Sequence, residues 1–390
     1  MLFAPLKSER GGAFMIAMAI MIMLALVAIM AVDRSTTDMV LSHNISGADA
    51  AFYVAEAGGK RAFVDINGDN EWRDGYNNEP FGNGLYTVIM IDSSSDATLD
   101  DTVIIRSEGS VLEMQSWVEL WTAPEYYHPF TWGMFAGSGL NFDQSTCTDS
   151  YSSDSGSYFE TVLQEGGTIG TNGTITTSKL VTIGGDASTA TGGTITLGLG
   201  SVVLGDTTTA MDSVHLDIIP QEEYDWAAAN SDALSGMSGF DYTYDAATKE
   251  LTTDADGDVV LQSGVYFFSS ITLAQSSDII LAPGADVTIY ITGDITFGQG
   301  STVNDEGYPS ALQIYSQEGS LQFDQDNTFY GAFYGPNATI QYDQTTEVYG
   351  SIVADFIQLD KGACFHYDRD LAKVKHNKTG KMLEIAWREI

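Results

Sequence analysis

The sequence predicts an α+β fold that is mainly β: a long N-terminal helix, a small antiparallel sheet and then a parallel, right-handed β-helix. Three observations support this prediction. An uncharged apolar run extends from Gly11 to Val32, and the chain continues without proline to Ile66. Alternating apolar and polar residues follow as far as Ala123. In the remainder, short β segments alternate with Gly, Asn, Asp and Ser turns, and motifs recur about every 20 residues.

The composition is strongly acidic. The chain has 390 residues, with 16 Lys and Arg against 53 Asp and Glu and a formal net charge of −37. Between Arg106 and Lys361 the only basic residues are Lys179 and Lys249. Because nucleic-acid binding requires basic patches that neutralise phosphates, this charge excludes nucleic acid as a partner.

The run Gly11–Val32 is long enough to cross a membrane once, since about 20 apolar residues span the hydrocarbon core. It is too long for the apolar core of a secretory signal peptide. Lys7 and Arg10 precede it, so the positive-inside rule places the rest of the chain outside the cytoplasm. Two interpretations stay open: a plain membrane anchor, or a precursor that is cut between Gly12 and Ala13 and keeps its apolar run.

Beyond the apolar run, the chain keeps the character of a helix as far as Ile66. Alanine and bulky apolar residues recur close to the 3.6-residue helical period, and no proline interrupts them. We therefore predict one continuous helix over residues 13–66, with half of its length in the membrane and half outside.

An acidic stretch follows the helix and predicts a calcium site. Oxygen-bearing side chains alternate around Gly68, which permits a tight bend, and such oxygens are the ligands of a hard cation. The predicted ligands are Asp65, Asn67, Asp69, Glu71, Asp74 and Glu79. The spacing is not that of an EF-hand, because Asn70 and Tyr76 stand where that loop requires glycine and glutamate. It resembles the D-x-N-G-D family of calcium loops, and an acidic turn without metal is the alternative.

Residues 67–123 contain this loop and the predicted small sheet. Three segments there have the period-two alternation of antiparallel strands. They are Tyr86–Asp92, Thr102–Ser107 and Gln115–Trp121.

Residues 124–367 are predicted to form the β-helix. The motif that begins at Leu140 recurs at Leu321, Ile340 and Ile357, and a Tyr-Gly motif recurs with it. Such a period indicates coils that are each too small to bury a core alone. A β-sandwich is the alternative, but it does not predict repeated strand motifs.

Two segments depart from this pattern. Residues near 217–258 form a predicted excursion, which has helical composition from Pro220 to Ser235. Residues 368–390 form a basic tail, which we expect to cap the last coil, or alternatively to dock onto the acidic body.

Two cysteines and five tyrosines are candidate functional residues. In an exported chain Cys147 and Cys364 could form one disulfide, and two unrelated buried thiols are the alternative. Several tyrosines fall in predicted loops, where their large polar-tipped rings could contact a surface glycan or protein. They are Tyr151, Tyr158, Tyr242, Tyr244 and Tyr308.

We predict no catalysis. The predicted β-helix has almost no Lys or Arg for lyase chemistry, and no pair of carboxylates stands out among so many acidic residues. His366 could bond Asp368, although a capping or core role is the simpler expectation.

The N-terminal segment resembles a PilX-type pilin. The matching features are the charged leader, Arg10-Gly11-Gly12, the apolar span and Ala55-Glu56-Ala57-Gly58. The later chain is similar to the β-helical ectodomain that often follows such N-termini. Its matching segments begin at Phe135, Asp149, Gly264, Tyr334 and Phe365.

This resemblance implies that prepilin peptidase removes residues 1–12 before Ala13, with methylation of the new N-terminus. It also implies passage from the inner membrane to an extracellular filament, with other pilins and the pilus assembly machinery as partners. Pilins carry a glutamate five residues into the mature chain, but Ala17 stands there. We therefore expect a minor subunit, at the tip or in priming, with a structural and adhesive role. The alternatives are a membrane-anchored enzyme acting on polysaccharide and a static anchored surface protein.

Overall fold

The computed structural model describes residues 10–69, 71–99, 101–304 and 307–390. Most of the predicted leader, residues 1–9, lies outside the described residues. The chain forms two compact units: one contains the chain up to Glu125 together with Gly380–Ile390, and the other is Tyr126–Thr379.

The first unit contains the predicted long helix, which runs from Arg10 to Gly68 over 59 residues. It is the one helix in the described chain that is long and apolar enough to cross a membrane, judged by length and composition. The apolar side chains of its first half are exposed, as at Met15 and Met30, which are 71% and 69% exposed. From Ala51 onward the helix buries a stripe of small and apolar residues against a sheet.

In the described residues that sheet has five strands, and its first three pairings along the chain are antiparallel. The three predicted strands are among them, whereas the strand Tyr76–Phe81 was not predicted. In spatial order the strands are Tyr76–Phe81, Gly84–Ile91, Val103–Val111, Met114–Tyr127 and His376–Glu389. Glycine lets the helix backbone approach directly, because a Cβ atom at Gly109 would lie 2.1 Å from the carbonyl oxygen of Ala51. The packed layer is a helix on one sheet with Tyr86, Val118 and Leu120 in its core.

The fifth strand corrects the prediction that the basic tail caps the last coil. His376–Glu389 lies at the edge of the five-stranded sheet, beside Met114–Tyr127. Ion pairs help to hold the C-terminal strand in this position. The side chain of Glu119 is 1% exposed and lies 2.6 Å from Arg106 Nη2 and 2.5 Å from Arg388 Nη2. Burial raises the pKa of Glu119, but the hydrogen bonds and charges of the two arginines outweigh burial and leave it below its ordinary value.

We expect Glu119→Ala to destabilise the first unit by about 1–2 kcal/mol, because two arginines lose their shared partner but can rehydrate. Urea unfolding measures the change. Because the pKa of Glu119 is lowered in the folded chain, its pairing with the arginines stabilises the wild type fully at pH values above the ordinary pKa of glutamate. This stabilisation is lost as pH falls through the folded-state pKa of Glu119. Glu113→Gln, at an exposed turn position, is the matched control and should leave stability within about 0.5 kcal/mol. Equal stability of the two variants would contradict this account.

In the part of the chain that the structure describes, the second unit is a β-helix-like stack whose 22 strands form one continuous sheet. All of its pairings are parallel except one antiparallel hairpin and one isolated bridge, within the described residues. In chain order the strands are Met134–Phe142, Cys147–Tyr151, Ile169–Thr171, Thr174–Thr177, Thr182–Ile183, Ala187–Ala190, Ile195–Thr196, Val202–Val203, Thr207–Met211, Met237–Asp245, Glu250–Leu261, Gly264–Phe268, Ser270–Leu273, Asp278–Leu281, Val287–Ile291, Ile295–Phe297, Thr302–Val303, Leu312–Ser316, Ser320–Phe323, Thr328–Tyr342, Glu347–Leu359 and Cys364–Asp368.

These strands stack as three parallel ladders, and the inward residues of each ladder build the core, except that Thr207 at the end of the third ladder is exposed. The first ladder aligns Leu251, Ile271, Ile295, Leu321, Ile340, Ile357, Leu140, Ile175 and Ile195. The second aligns Val259, Ile279, Val303, Phe329, Val348, Phe365, Thr148, Ile183 and Val203. The third aligns Tyr266, Ile289, Ile314, Phe333, Ile352, Met134, Ile169, Ala187 and Thr207. Each set belongs to a face shared by successive coils, as a solenoid requires.

The recurring sequence motifs are successive rungs of the first ladder, in register. Leu321 pairs with Ile340, Ile340 with Ile357, and Ile357 with Leu140. The glutamine after each of the first three donates a hydrogen bond to the aspartate two residues later, at the turn. Each repeat therefore supplies one inward apolar residue and one turn that is stabilised by a glutamine–aspartate hydrogen bond. The right-handed sense of the coils stays a prediction.

The stacking order does not follow the chain order. The coil that contains Ile357 stacks on the coil that contains Leu140, although they lie at opposite ends of the unit's sequence. We call this junction the seam; it continues in the other ladders as Phe365 beside Thr148 and Ile352 beside Met134.

A short helix, Gln221–Ala229, covers part of the outside of the third ladder through Tyr224 and Ala227. It lies where the sequence has helical composition. The excursion is shorter than predicted, because Glu250–Leu261 already pairs in parallel with the next coil and belongs to the stack.

Candidate functional site

The six predicted calcium ligands do not converge. The carboxylate of Asp65 accepts a hydrogen bond from the Tyr76 hydroxyl, and the side-chain oxygen of Asn67 accepts one from the Met382 N–H at 2.8 Å. Asp69 accepts from the backbone N–H of Glu71 within its own turn. Across the described residues, no three acidic, histidine or cysteine side chains form a group that could hold a metal.

The other two predicted ligands, Asp74 and Glu79, lie beyond the turn. The carboxylate of Glu79 lies 3.9 Å from Arg61 Nη1, which competes with any cation. The present side-chain arrangement therefore does not fit calcium, and calcium binding stays a prediction. Cleavage between Gly12 and Ala13 also stays a prediction. Both residues lie in the long helix, and the side chain of Ala13 is not among those that the structure describes.

The second ladder carries the cleft that is the candidate functional site. Loops leave its edge toward the third ladder after Cys147–Tyr151 and after Thr302–Val303. Four inter-strand steps, about 19 Å, separate these two strands. Between them Thr328–Tyr342 and Glu347–Leu359 pass from the second ladder to the third without a loop. A cleft of about 440 Å³ lies over these loop-free coils.

Among the described residues, six aromatic side chains line this cleft, which we call the tyrosine cleft. They are Tyr151, Tyr158, Phe159, Tyr308, Tyr330 and Tyr349. Phe159 belongs to one loop and is 87% exposed, and Tyr308 belongs to the other and is 57% exposed. Tyr330 and Tyr349 project outward from neighbouring rungs of the second ladder and stack, with 4.5 Å between ring centroids.

Three of the five tyrosines that the sequence suggested for surface contact thus meet at one place: Tyr151, Tyr158 and Tyr308. Tyr242 and Tyr244 do not, because they lie on the hairpin strand Met237–Asp245 and pack against the core.

His366 continues the row of Tyr330 and Tyr349 along the second ladder, with its ring 4.5 Å from that of Tyr349. Its Nδ1 lies 2.7 Å from Asp149 Oδ1, and its Nε2 lies 2.6 Å from Glu347 Oε2. Burial lowers the pKa of His366, but the hydrogen bonds and charges of the two carboxylates outweigh burial and raise it above the ordinary value. The protonated ring donates to both carboxylates.

The bond from His366 to Asp368 that the sequence suggested is not formed. Asp368 accepts hydrogen bonds from the backbone N–H of Ser153 at 3.1 Å and from its Oγ at 2.6 Å. Burial raises the pKa of Asp368 despite these bonds. The aspartate therefore fixes the start of the loop that bears Phe159, and the histidine binds across the ladder.

The hydroxyl groups of Tyr158 and Tyr151 differ in their hydrogen bonding. Tyr158 donates to Asp149 Oδ2 at 2.7 Å, so it is tied to the His366 cluster. The Tyr151 hydroxyl is buried and has no hydrogen-bond partner among the described atoms. Burial raises the pKa of both hydroxyls, and both therefore keep their protons at neutral pH.

Cys147 and Cys364 are joined by a disulfide, with 4.6 Å between their Cα atoms. They are directly paired residues across the seam and lie two positions before Asp149 and His366. The disulfide therefore links the two coils that support this side of the tyrosine cleft.

Sequence reasoning missed Phe159, Asp149 and Glu347. The outward alternation of Tyr330 and Tyr349 in their repeated motif was a usable signal for a stacked row. No local pattern indicated the two carboxylates, because their partner His366 lies 217 and 19 positions away.

A family model described as a domain of unknown function, DUF7305, matches residues 227–374. No curated protein matches the chain.

Two solved structures are similar. The competence-associated pilin ComZ from Thermus thermophilus is 11% identical, with a TM-score of 0.34, covering 88% of this chain and 98% of that one. An ice binding protein from an Antarctic Biological Consortium is 16% identical, with a TM-score of 0.35, covering 61% of this chain and 87% of that one. Both TM-scores are too low to carry an argument about function.

Proposed function

We propose that this protein is a minor, pilin-like subunit of a type IV pilus or related filament and that it enters the filament through its long helix. The observation that carries the proposal is the two-part character of that helix. Side chains from Phe14 to Val32 are apolar and exposed, whereas Ala51, Ala55 and Ala62 are buried against the sheet. An apolar surface of this size requires a membrane or other helices around it. The C-terminal half of the helix is packed on its own sheet, and the apolar N-terminal half is exposed. Such a helix fits first a membrane and then a bundle of other helices in a filament.

The resemblance of the N-terminus to PilX-type pilins supports the remaining parts of the proposal. Prepilin peptidase would cut between Gly12 and Ala13, and the chain would pass from the inner membrane into an extracellular filament beside other pilins. Ala17, in place of the usual glutamate, supports a minor position, such as the tip or a priming role, rather than a place along the shaft. The β-helix-like unit would be displayed for adhesion.

We expect Leu24→Lys to remove the protein from sheared filaments, because a lysine at the centre of an apolar helix costs about 3 kcal/mol in a membrane. Leu24 is 62% exposed in the chain. Immunoblotting of sheared filaments and immuno-electron microscopy measure the recovery, and mass spectrometry of the recovered wild type reads its N-terminus.

Leu199→Lys is the matched control, since Leu199 is an exposed leucine of the second unit, and it should be recovered like the wild type. A wild-type protein that stays in the membrane and never enters filaments would instead support the static anchored surface protein.

An enzymatic role is the second alternative, and the cleft does not favour it. Glycoside hydrolysis uses two carboxylates that flank the bond. Glu160 is the one carboxylate among the described residues that line the tyrosine cleft, and it already accepts hydrogen bonds from Ser157. Turnover of a polysaccharide by the detergent-solubilised chain would establish this alternative.

A further inference from the structure

The walls of the tyrosine cleft hold aromatic rings in place without burying them. Phe159 lies inside a capping box, in which Glu160 accepts hydrogen bonds from the backbone N–H and the hydroxyl of Ser157. Its ring nevertheless remains 87% exposed, and Tyr308 lines the same cleft at 57% exposure. Aromatic side chains have few rotatable bonds, so they offer a large contact area at low entropic cost. The cleft volume of about 440 Å³ is within the usual range for small-molecule sites.

The floor of the cleft offers hydroxyl groups rather than ring faces. Tyr330 stacks on Tyr349 with 11° between the ring planes, and Tyr349 stacks on His366 with 24°. Because the row covers both faces of Tyr349 and one face of Tyr330, the Tyr349 ring offers a ligand its edge and its hydroxyl. Tyr151 adds a second signal, since the residue lines the cleft and its hydroxyl is buried and has no partner in the described chain. A buried donor without a partner is costly, and a ligand oxygen would satisfy it.

Charge narrows the choice of ligand. Neither Lys nor Arg occurs among the described lining residues, and the surroundings contain the carboxylates of Glu160, Asp149 and Glu347. Phosphates and uronic acids would therefore be repelled. A cation would be attracted by these carboxylates and by the exposed rings of Phe159 and Tyr308, but it would leave the hydroxyl groups of the floor without a partner. A neutral ligand with apolar ring faces and many hydroxyls matches both walls and floor.

We propose that the tyrosine cleft binds a neutral oligosaccharide, whose sugar rings stack on Phe159 and Tyr308 and whose hydroxyls bond the tyrosine hydroxyls of the floor. This site gives the proposed filament subunit a ligand. The sugar-binding proposal rests on the proposed function only in one respect, namely that the sugar is encountered outside the cell by a filament. Binding itself requires the second unit alone.

Isothermal titration calorimetry on the detergent-solubilised full chain tests the proposal. The probes are maltotetraose, cellotetraose and tetra-N-acetylchitotetraose as neutral sugars, tetragalacturonate as an anion and tetramethylammonium as a cation. We expect at least one neutral tetrasaccharide to bind and neither charged probe to do so. Phe159→Ala and Tyr308→Ala should each weaken that binding about tenfold or more, as truncation of a central aromatic contact does.

Phe240→Ala is the matched control, because Phe240 is 55% exposed on the hairpin strand outside the cleft, and its affinity should equal that of the wild type. Absence of binding by all three neutral sugars, preference for a charged probe, or equal loss in the Phe240→Ala variant would each overturn the proposal. Recovery in sheared filaments is measured separately, so failure of sugar binding does not count against filament membership.

Discussion

A chain in which serine replaces both Cys147 and Cys364 is expected to unfold at a temperature roughly 5–15 °C below that of the wild type. The disulfide joins residues 217 positions apart, so it closes a loop that contains almost the whole second unit. Cross-links that close long loops remove the most entropy from the unfolded chain, and the loss of such a bond typically costs about 2–5 kcal/mol.

Its position increases the expected effect. Neighbouring coils elsewhere in the stack are connected by a short stretch of chain, but the coils on the two sides of the seam are not. There the ladder pairs Ile357–Leu140 and Phe365–Thr148 depend on hydrogen bonds, packing and the disulfide. We therefore expect the variant to open at the seam first, which limited proteolysis would detect as cleavage between the two groups of coils.

Differential scanning calorimetry of the wild type with and without reductant provides the control. Reduced wild type should melt like the double serine variant, and reductant should not change the variant further. The account is wrong if the wild type, with both thiols shown to be free, melts at its original temperature.

The repeated motifs explain why much of the architecture could be predicted from the sequence. Each motif places one large apolar residue inward and one aspartate at the turn, so Leu321, Ile340 and Ile357 could be assigned to successive coils. The order of the coils could not be obtained in this way. The inward residues of all coils are similarly apolar, and nothing local distinguishes Leu140 as the neighbour of Ile357.

The same limit applies to the C-terminal strand and to the site. Arg388 was visible as part of a basic tail, but its partner Glu119 lies far away in sequence and is buried only once the five-stranded sheet has formed. Tyr151, Tyr158 and Tyr308 could be selected as polar-tipped aromatics in loops. Their meeting in one cleft depends on the seam, which places the loop after Tyr151 four rungs from the loop that bears Tyr308.

Truncation of the buried histidine is the second large effect, because His366→Ala is expected to destabilise the second unit by about 3 kcal/mol near pH 6. The ring of His366 donates to Asp149 across the seam and to Glu347 on the neighbouring coil. Its removal leaves Asp149, a residue that is 6% exposed, without its charged partner. Urea unfolding followed by circular dichroism measures the loss. His215→Ala is the matched control: that side chain is 88% exposed, and its weak contact with Asp217 should contribute less than about 0.5 kcal/mol.

The pH dependence separates the charge of His366 from its packing. Its pKa is raised in the folded chain above the ordinary value of 6.5, so the stabilisation by the charged ring is fully present below about pH 6.5. It is lost as pH rises through the folded-state value, because the unfolded chain has already released its proton while the folded chain still holds one. The difference in unfolding free energy between the wild type and His366→Ala should therefore shrink as pH rises. A difference that stays constant across this range would show that the ring acts through its packing against Tyr349 and Tyr158, and not through its two carboxylates.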